Sequence, residues 1–438
     1  MPDEPAHPSR AQLAHEPLAD AERPGARAFL GRLALDVGPL KRYPAFRRLF
    51  VGQTVSTFGS EVAAVAAPFQ LYHLTHSTLQ VGLLSLCELA PLLTLTIVGG
   101  AIADAVDRRR LLLLTETLLA LVAGGFALNA ALPHPRVWAI YVLVTLAMSI
   151  FSLGVAGLNS VIPRLVEPHE LAAANAIENV YGSTTSVAGP ALGGVLIAAL
   201  GLTGAYALDA ATFAASLWSV GRLPALPPAH DADRPSLRSI AEGFRFARRK
   251  RVLLGMFLVD SNAMVFGMPR ALFPALALSR FHGGAGVLGL MYAAPYAGAL
   301  LASLLSGWIG HVRRQGLIVA VAAALWGAAI AAFGFAGSLW LALLLLAAAG
   351  AADNISAVLR GTILWTVTPD SLRGRLSGIE FAQVASTPAL GNVEAGVVAS
   401  LTSLRFSIVS GGLLCIVGTV AIALAVPALI RYDARASG

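Results

Sequence analysis

The chain has 438 residues, of which 56% are hydrophobic and only 13% are charged, and its mean hydropathy is +0.72. Soluble domains carry about 25% charged residues, so this composition excludes a soluble enzyme and indicates a polytopic membrane protein. The net charge of +7 does not point to nucleic acid, because the basic residues cluster at the ends of apolar segments, where membrane topology explains them.

Twelve apolar runs are each long enough to cross a bilayer as a helix, which takes about 20 residues. Charge clusters and loops that contain Pro, Gly or His separate them. In chain order, the predicted spans are 47–72, 79–103, 110–132, 136–160, 171–199, 201–221, 252–279, 285–310, 316–336, 338–364, 374–400 and 404–430.

The basic residues predict the orientation of these spans. With a cytoplasmic N-terminus, 27 Lys and Arg residues lie on the inner side and three, Arg136, Arg280 and Arg405, on the outer side. Cytoplasmic loops carry this excess in membrane proteins, so both termini are predicted to be cytoplasmic, in the inner (plasma) membrane of a bacterial cell.

The chain is predicted to divide into two six-helix bundles with polar segments around them. Residues 1–45 are charged and Pro-rich and are predicted to be a disordered cytoplasmic tail. Residues 46–222 and 251–431 are the two bundles, and 432–438 form a short cytoplasmic tail. Between the bundles, 223–250 is a cytoplasmic linker that contains the basic amphipathic pattern of a helix lying on the inner leaflet. A merely solvated connector is the alternative.

The two halves carry an internal repeat. Asn175-Ala-Ile-Glu178 is followed by Gly189-Pro190-Ala-Leu-Gly193, and Ser377-Gly-Ile-Glu380 is followed by Thr387-Pro388-Ala-Leu-Gly391. Six spans plus six, with a parallel repeat, is a plan of membrane transporters. The predicted fold is therefore an all-α membrane protein with two six-helix bundles related by a pseudo-two-fold axis.

The loop after the second span carries a recognisable motif. Gly100-Ala-Ile-Ala-Asp104 is followed by Asp107-Arg108-Arg109-Arg110, which resembles the cytoplasmic loop motif of the major facilitator superfamily. Together with the twelve spans, this resemblance covers nearly the whole chain. The segments Arg42-Tyr-Pro-Ala-Phe-Arg-Arg, Gly59-Ser-Glu61 and Met268-Pro-Arg-Ala-Leu-Phe-Pro are similar to the branch that holds enterobactin exporters and macrolide efflux proteins.

The resemblance implies a gate at the cytoplasmic side. Gly100 permits close helix approach, Asp104 accepts hydrogen bonds from a facing helix, and Arg108 and Arg109 pair with carboxylates across the contact between the halves. The alternative is that the arginines are only topology anchors. The counterpart in the second half, Gly307-Trp-Ile-Gly-His311, lacks the acid, which predicts a one-sided latch.

A second motif lies in the fifth span. Gly189, Pro190, Gly193 and Gly194 resemble the core of the antiporter motif of superfamily exporters. A proline kinks a helix and glycines let neighbouring helices approach, which suits a bending gate. Packing of small residues alone is the alternative.

Ionisable and polar groups within spans are costly and usually face a cavity. Polar stripes in several spans predict cavity-lining side chains, namely Gln53, Thr57, Glu88, Asp209, Asn262, Arg270, Tyr292, Tyr296, Glu380, Gln383, Thr387 and Glu394. Tyr292 and Tyr296 could stack on an aromatic ligand or simply pack. Arg270 is expected to neutralise one acid, with Asp260 as a candidate.

Glu61 is the first candidate for coupling transport to protons, followed by Asp260 and Asp353. Glu61 lies about 14 residues into the first span, near the bilayer midplane. A carboxyl group there can take up a proton from one side and release it to the other. The alternative for each acid is a structural carboxylate paired with an Arg or a backbone group.

These features predict a secondary active transporter, a proton-coupled exporter of drug-like or siderophore-like small molecules working by alternating access. A nutrient importer on the same fold is the alternative, followed by a membrane-embedded sensor or enzyme. No catalytic residue, cofactor or metal site is predicted, and the nine His residues are scattered without ligand spacing. The expected partners are a small-molecule substrate, protons and the lipid bilayer, without nucleic acid, for a chain that acts as a monomer.

Overall fold

The computed structural model describes residues 36–224 and 244–433, without the side chains of 97–104, 156, 159, 160 and 371. Long helices dominate these ranges, and no strand occurs within them. Ten of the twelve long helices have their own bounds. They are α1 (Pro44–Thr75), α2 (Thr78–Ala105), α3 (Arg108–Ala131), α4 (Val137–Leu165), α7 (Arg251–Phe266), α8 (Gly284–Leu304), α9 (Gln315–Phe333), α10 (Leu339–Val367), α11 (Asp370–Leu401) and α12 (Leu404–Ala425). The remaining two, α5 and α6, share the helical segment Leu171–Gly221.

Gly201 divides the segment Leu171–Gly221 into α5 (171–200) and α6 (202–221). Its backbone has φ +70° and ψ 176°, a conformation that is open almost only to glycine. Along α1, Gly52 lies against Ser219 of α6 and Gly59 against Asp209 of α6, so the residue numbers of α6 fall as those of α1 rise. Glu61 of α1 lies against Gly189 of α5. α5 therefore runs parallel to α1, and α6 runs back.

The predicted twelve-helix fold is confirmed. Nine segments within the described ranges are long and apolar enough to cross a membrane, and α5 and α6 are counted among them as one. α1 and α11 are not among the nine; both carry the polar stripes that lower hydropathy. With these two included and α5 and α6 counted separately, the helices match the twelve predicted spans.

The seventh span differs from the continuous helix predicted over 252–279. α7 ends at Phe266, and a short helix, Phe273–Ser279, completes the span after a turn that contains Arg270. Pro269 explains the break, because proline has no backbone N–H and disfavours helical geometry in the preceding residue. The turn places Arg270 in the interior of the protein, beside the neighbouring helix α8.

The helices pack as two bundles. In the first, α1 packs on α5 and α6, and α2 on α4; in the second, α8 packs on α10, and α9 on α12. The bundles meet mainly through two helix pairs, α2 with α11 and α5 with α8. Under a pseudo-two-fold axis α2 is equivalent to α8 and α5 to α11, so the two contacts are copies of each other.

The polar ends of the chain are described only in part. The prediction of a disordered tail over 1–45 does not hold for residues 38–42, because Gly38–Arg42 is helical and Arg42 pairs with the buried carboxylate of Glu170. Of the predicted linker helix, residues 225–243 lie outside the described residues, and 244–249 are helical. Residues 1–35 and 434–438 also lie outside the described part.

Candidate functional site

Glu61 lies between two cavities. One, of about 430 Å³, is inside the first bundle between α1, α3, α4 and α6. The other, of about 190 Å³, lies between the two bundles. Glu61 and Glu88 line both cavities. Gly189 of α5 makes room for the Glu61 side chain, since a Cβ atom at that position would lie 2.7 Å from Glu61 Cβ.

The cavity of the first bundle has apolar walls with a few polar groups. The Gln53 side-chain amide donates to Glu116 Oε1 at 2.9 Å and to Ser216 Oγ at 3.0 Å. Asp209 is 4% exposed and lies beside Gly59 of α1. Thr57 also lines this cavity. The predicted side chains Gln53, Thr57, Glu88 and Asp209 thus come together here.

Arg270 lies at the cavity between the bundles and is held by two tyrosine rings. Its guanidinium carbon is 5.1 Å from the ring centre of Tyr292 and 5.5 Å from that of Tyr296, and Nη1 donates to the Tyr296 hydroxyl at 3.2 Å. These distances are typical of cation–π contacts. The tyrosines, considered from the sequence as a stacking site for a ligand, therefore contact Arg270. Glu61 and Glu88 face this cavity from the other bundle.

The second bundle contains a network of buried charges. Arg360 Nη1 lies 2.6 Å from Asp260 Oδ1 and 3.9 Å from Asp353 Oδ1. The Gln383 amide donates to Asp260 Oδ2 at 3.1 Å and to the Phe257 carbonyl at 2.8 Å. The expectation that Arg270 neutralises Asp260 is therefore corrected. Arg360 of α10 neutralises Asp260 instead, because the break after Phe266 places Arg270 on the other side of the seventh span.

Part of the polar stripe of α11 lies against α7. Gly391 packs on the Met264 carbonyl, and Thr387 donates to the carbonyl of Gln383 on its own helix. Glu380 and Glu394 line neither of the two cavities described above. Gln383 and Gly391 of the stripe thus contact α7, and a cavity-lining role for Glu380, Thr387 and Glu394 stays a prediction.

Asn262, expected to line the cavity, points away from it. Its side-chain amide donates to the carbonyl of Cys415 at 2.8 Å and to Thr419 Oγ1 at 3.3 Å, both on α12. On a helix, residues 260 and 262 lie about 200° apart. Because Asp260 faces α10 and α11, Asn262 must face the opposite side, which is covered by α12.

The glycines of the fifth span form two helix contacts. A Cβ atom at Gly193 would lie 3.1 Å from Val62 Cα of α1, and one at Gly194 would lie 2.9 Å from Gly289 Cα of α8. Gly289 in turn packs on the carbonyl of Pro190. The Gly-Pro motif therefore brings α5 against its own bundle at Gly193 and against the other bundle at Gly194.

The cytoplasmic loop motif is described in part. The Asp104 side chain and the surroundings of Gly100 lie outside what the structure describes. Arg108 is 3% exposed, and Arg109 donates to the carbonyl of Gly221. Asp107 caps the start of α3, accepting from the backbone N–H of Arg109 at 2.9 Å. The latch function of this motif stays a prediction.

The two bundles touch at the face of the molecule opposite the ends of the chain, here called the far face. Thr78 Oγ1 donates to the Gly396 carbonyl at 3.1 Å, and the Asn392 amide donates to Ser85 Oγ at 2.9 Å. At the other face, called the terminal face, a Cβ atom on Gly182 would meet nothing within 4 Å. Gly182 lines a cavity of about 340 Å³ between α5, α8 and α10. The described structure is thus closed at the far face and open at the terminal face.

Glu116 is a residue of this site that the sequence analysis missed. It lies within α3, is 7% exposed and lines the larger cavity. The criterion used for the other acids, an ionisable group within an apolar span, applies equally to Glu116, which stands among leucines in Leu114-Thr-Glu116-Thr-Leu118. A complete search of the third span with that criterion finds it.

Comparisons with known proteins agree with this architecture. Residues 36–437 match the family described as transmembrane secretion effector. The chain is 35% identical over 385 residues to the enterobactin exporter EntS of Citrobacter koseri and 34% identical over 385 residues to EntS of Escherichia coli O81. Both alignments cover 88% of this chain and 92% of the relative.

Solved transporter structures share the fold at low sequence identity. The nucleoside transporter NupG aligns with a TM-score of 0.70 at 12% identity, over 89% of this chain and 99% of that chain. A POT family transporter in complex with 5-aminolevulinic acid gives 0.69 at 13% identity, over 89% and 97%. A bacterial homologue of the iron transporter ferroportin gives 0.65 at 15% identity, over 89% and 99%.

Proposed function

The chain belongs to the transmembrane secretion effector family of the major facilitator superfamily, and on this premise we propose a proton-driven export mechanism for it. As a member of that family it is a multi-pass transporter of the inner membrane and an exporter. What we propose concerns the energy source, the coupling residue, the orientation of the termini and the exported molecule. The expected partners are a drug-like or siderophore-like small molecule, protons and the bilayer, without nucleic acid, for a monomer without cofactor or metal.

The position of Glu61 carries this proposal. Its carboxyl group lies where the cavity of the first bundle meets the cavity between the bundles. A carboxyl group so placed exchanges a proton with whichever side has water access, because its charged form is disfavoured when water leaves. Arg270 faces the same cavity from the other bundle and attracts the ionised form. Protonation of Glu61 therefore weakens an attraction between the halves.

Alternating access follows from the contacts between the bundles. The α2–α11 and α5–α8 pairs close the far face, while the terminal face is open. With cytoplasmic termini, as the basic residues predict, this state accepts substrate from the cytoplasm. Substrate binding in this state lets the bundles rock about their pseudo-two-fold axis, and the substrate leaves on the other side. A proton from that side then binds Glu61, and it is released to the cytoplasm after the bundles rock back.

Proteoliposomes with an acidic lumen and an internal pH-sensitive dye test the proposal. Lipophilic cations, macrolides and catecholate siderophores are added in turn to vesicles that contain wild-type protein, Glu61→Gln or Glu394→Gln. The last variant is the matched control, since Glu394 is a span glutamate that lines neither cavity. We expect a substrate-evoked rise in lumen pH for wild type and the control, and none for Glu61→Gln. An undiminished signal in Glu61→Gln would remove this residue from the coupling path.

A further inference from the structure

Besides Glu61, the cavity of the first bundle contains three acids that the proposed proton coupling does not use. Its described lining includes four carboxyl groups, Glu61, Glu88, Glu116 and Asp209, and no Lys, Arg or His. The remaining lining is mostly apolar, with Leu, Val, Ala and Phe side chains from α3 and α4. The cavity therefore offers a surface for an apolar body together with negative charge or hydrogen-bond acceptors.

Two of these carboxyl groups have an unoccupied acceptor atom. Glu116 uses Oε1 to accept from Gln53 at 2.9 Å, whereas its Oε2 is buried without a hydrogen-bond partner among the described side chains. Asp209 Oδ1 is likewise buried without a partner. The residues are 7% and 4% exposed. Buried polar atoms in proteins are almost always hydrogen-bonded to protein or water, so two such atoms on one cavity are acceptors to which a bound molecule can donate.

The two acids lie at different depths of the cavity. Glu116 is level with Gln53 of α1 through their hydrogen bond, and Asp209 is level with Gly59, whose Cβ position would be 2.8 Å from Asp209 Oδ1. Gln53 and Gly59 are six residues apart on α1, so the levels of the two acids are separated by about 9 Å along the helix axis. Between these levels, Phe213 of α6 and the apolar side chains of α3 form the wall. A ligand that fills the cavity can reach both acceptors.

We propose that this cavity is a binding site for amphiphilic cations, molecules with a protonated amine on an apolar body, and that Glu116 and Asp209 accept their N–H groups. The proposal rests on the proposed export function, of which it specifies the substrate class. A strongly anionic molecule is disfavoured in this cavity, because four acids and no basic side chain face it. Among the described residues that line these two cavities, the basic side chain available to an anionic ligand is Arg270, in the other cavity.

Equilibrium binding of a fluorescent dye to the purified full-length protein in lipid nanodiscs tests the site. Rhodamine 6G is a cationic xanthene with N–H groups, and fluorescein is an anionic dye with the same ring system. Fluorescence polarisation is expected to show binding of rhodamine 6G and at least tenfold weaker binding of fluorescein. Glu116→Gln and Asp209→Asn are each expected to weaken rhodamine binding at least tenfold, and Glu394→Gln less than twofold.

A second variant separates loss of binding from loss of folding. Ala147→Phe narrows the cavity without changing a charge, since Ala147 lines it from α4, and it is expected to lower rhodamine affinity at least tenfold in a monodisperse protein. Equal affinity for the two dyes, or unchanged affinity in both acid variants, would overturn the proposal. The assay uses no proton gradient. Rhodamine binding without substrate-evoked proton flux would therefore refute the coupling proposal alone, and flux without rhodamine binding would refute the cavity proposal alone.

Discussion

The buried charges of the second bundle allow a quantitative prediction about Arg360. Its side chain is 11% exposed and that of Asp260 5%, so the 2.6 Å ion pair is almost free of water. Removing one partner of such a pair costs about 3–5 kcal/mol, because a buried charge is left uncompensated. Arg360→Met is therefore expected to lower the free energy of unfolding by about that amount. Asp353 is 36% exposed and 3.9 Å away, so Asp353→Asn is expected to cost about 1 kcal/mol or less.

A double-mutant cycle isolates the pair. Asp260→Asn combined with Arg360→Met is expected to regain most of the lost stability, because no unpaired charge remains. The free energy is measured by equilibrium unfolding in mixed micelles, followed by tryptophan fluorescence. The exposed pair Arg313–Asp433, at 3.2 Å, is the matched control, with an expected coupling of about 0–1 kcal/mol. A coupling energy near zero for Asp260 and Arg360 would refute the reasoning.

Three further predictions concern the helix contacts. Gly289→Leu is expected to abolish transport in the proteoliposome assay, because a Cβ atom there would lie 2.9 Å from Gly194 Cα across the two bundles; wild-type rates would contradict this contact. Cysteines at Ser85 and Asn392, in a background without the native cysteines, are expected to form an intramolecular cross-link that stops transport until reduced, since the two side chains are hydrogen-bonded at 2.9 Å; failure to cross-link would argue against the closed far face. Asn262→Ala is expected to lower the free energy of unfolding by about 1 kcal/mol and to leave the transport rate unchanged, because its described hydrogen bonds go to α12; a slower rate at wild-type stability would place it on the substrate path.

The sequence was sufficient for the fold because the membrane imposes a strong pattern on it. Apolar length and the placement of Lys and Arg located all twelve spans, including α1 and α11, whose polar stripes reduce their hydropathy. The internal break of the seventh span was not predicted, although Pro269 is a signal for it. Hydropathy averages over a window and does not register a single missing N–H donor.

The site was predictable as a set of residues but not as a set of partners. Asp260 and Arg360 are 100 positions apart and lie on different helices. The spacing of residues within one helix shows which of them share a face, but it does not show which neighbouring helix covers that face. The same limit applies to Asn262, where only the position of α12 decides that its amide bonds to a backbone carbonyl. Polar stripes indicate that a face is covered by protein, whereas tertiary packing decides whether water or another helix covers it.

The single residue between α5 and α6 has a consequence for the transport cycle. With only Gly201 joining the helices, a tilt of α5 cannot be absorbed by a slack loop and must displace the adjoining end of α6. α5 contacts the other bundle through Gly194, and α6 carries Asp209 into the larger cavity. We therefore expect opening of the far face to change the shape of the cavity wall, so that release of the proposed substrate and loss of its binding surface occur in one movement.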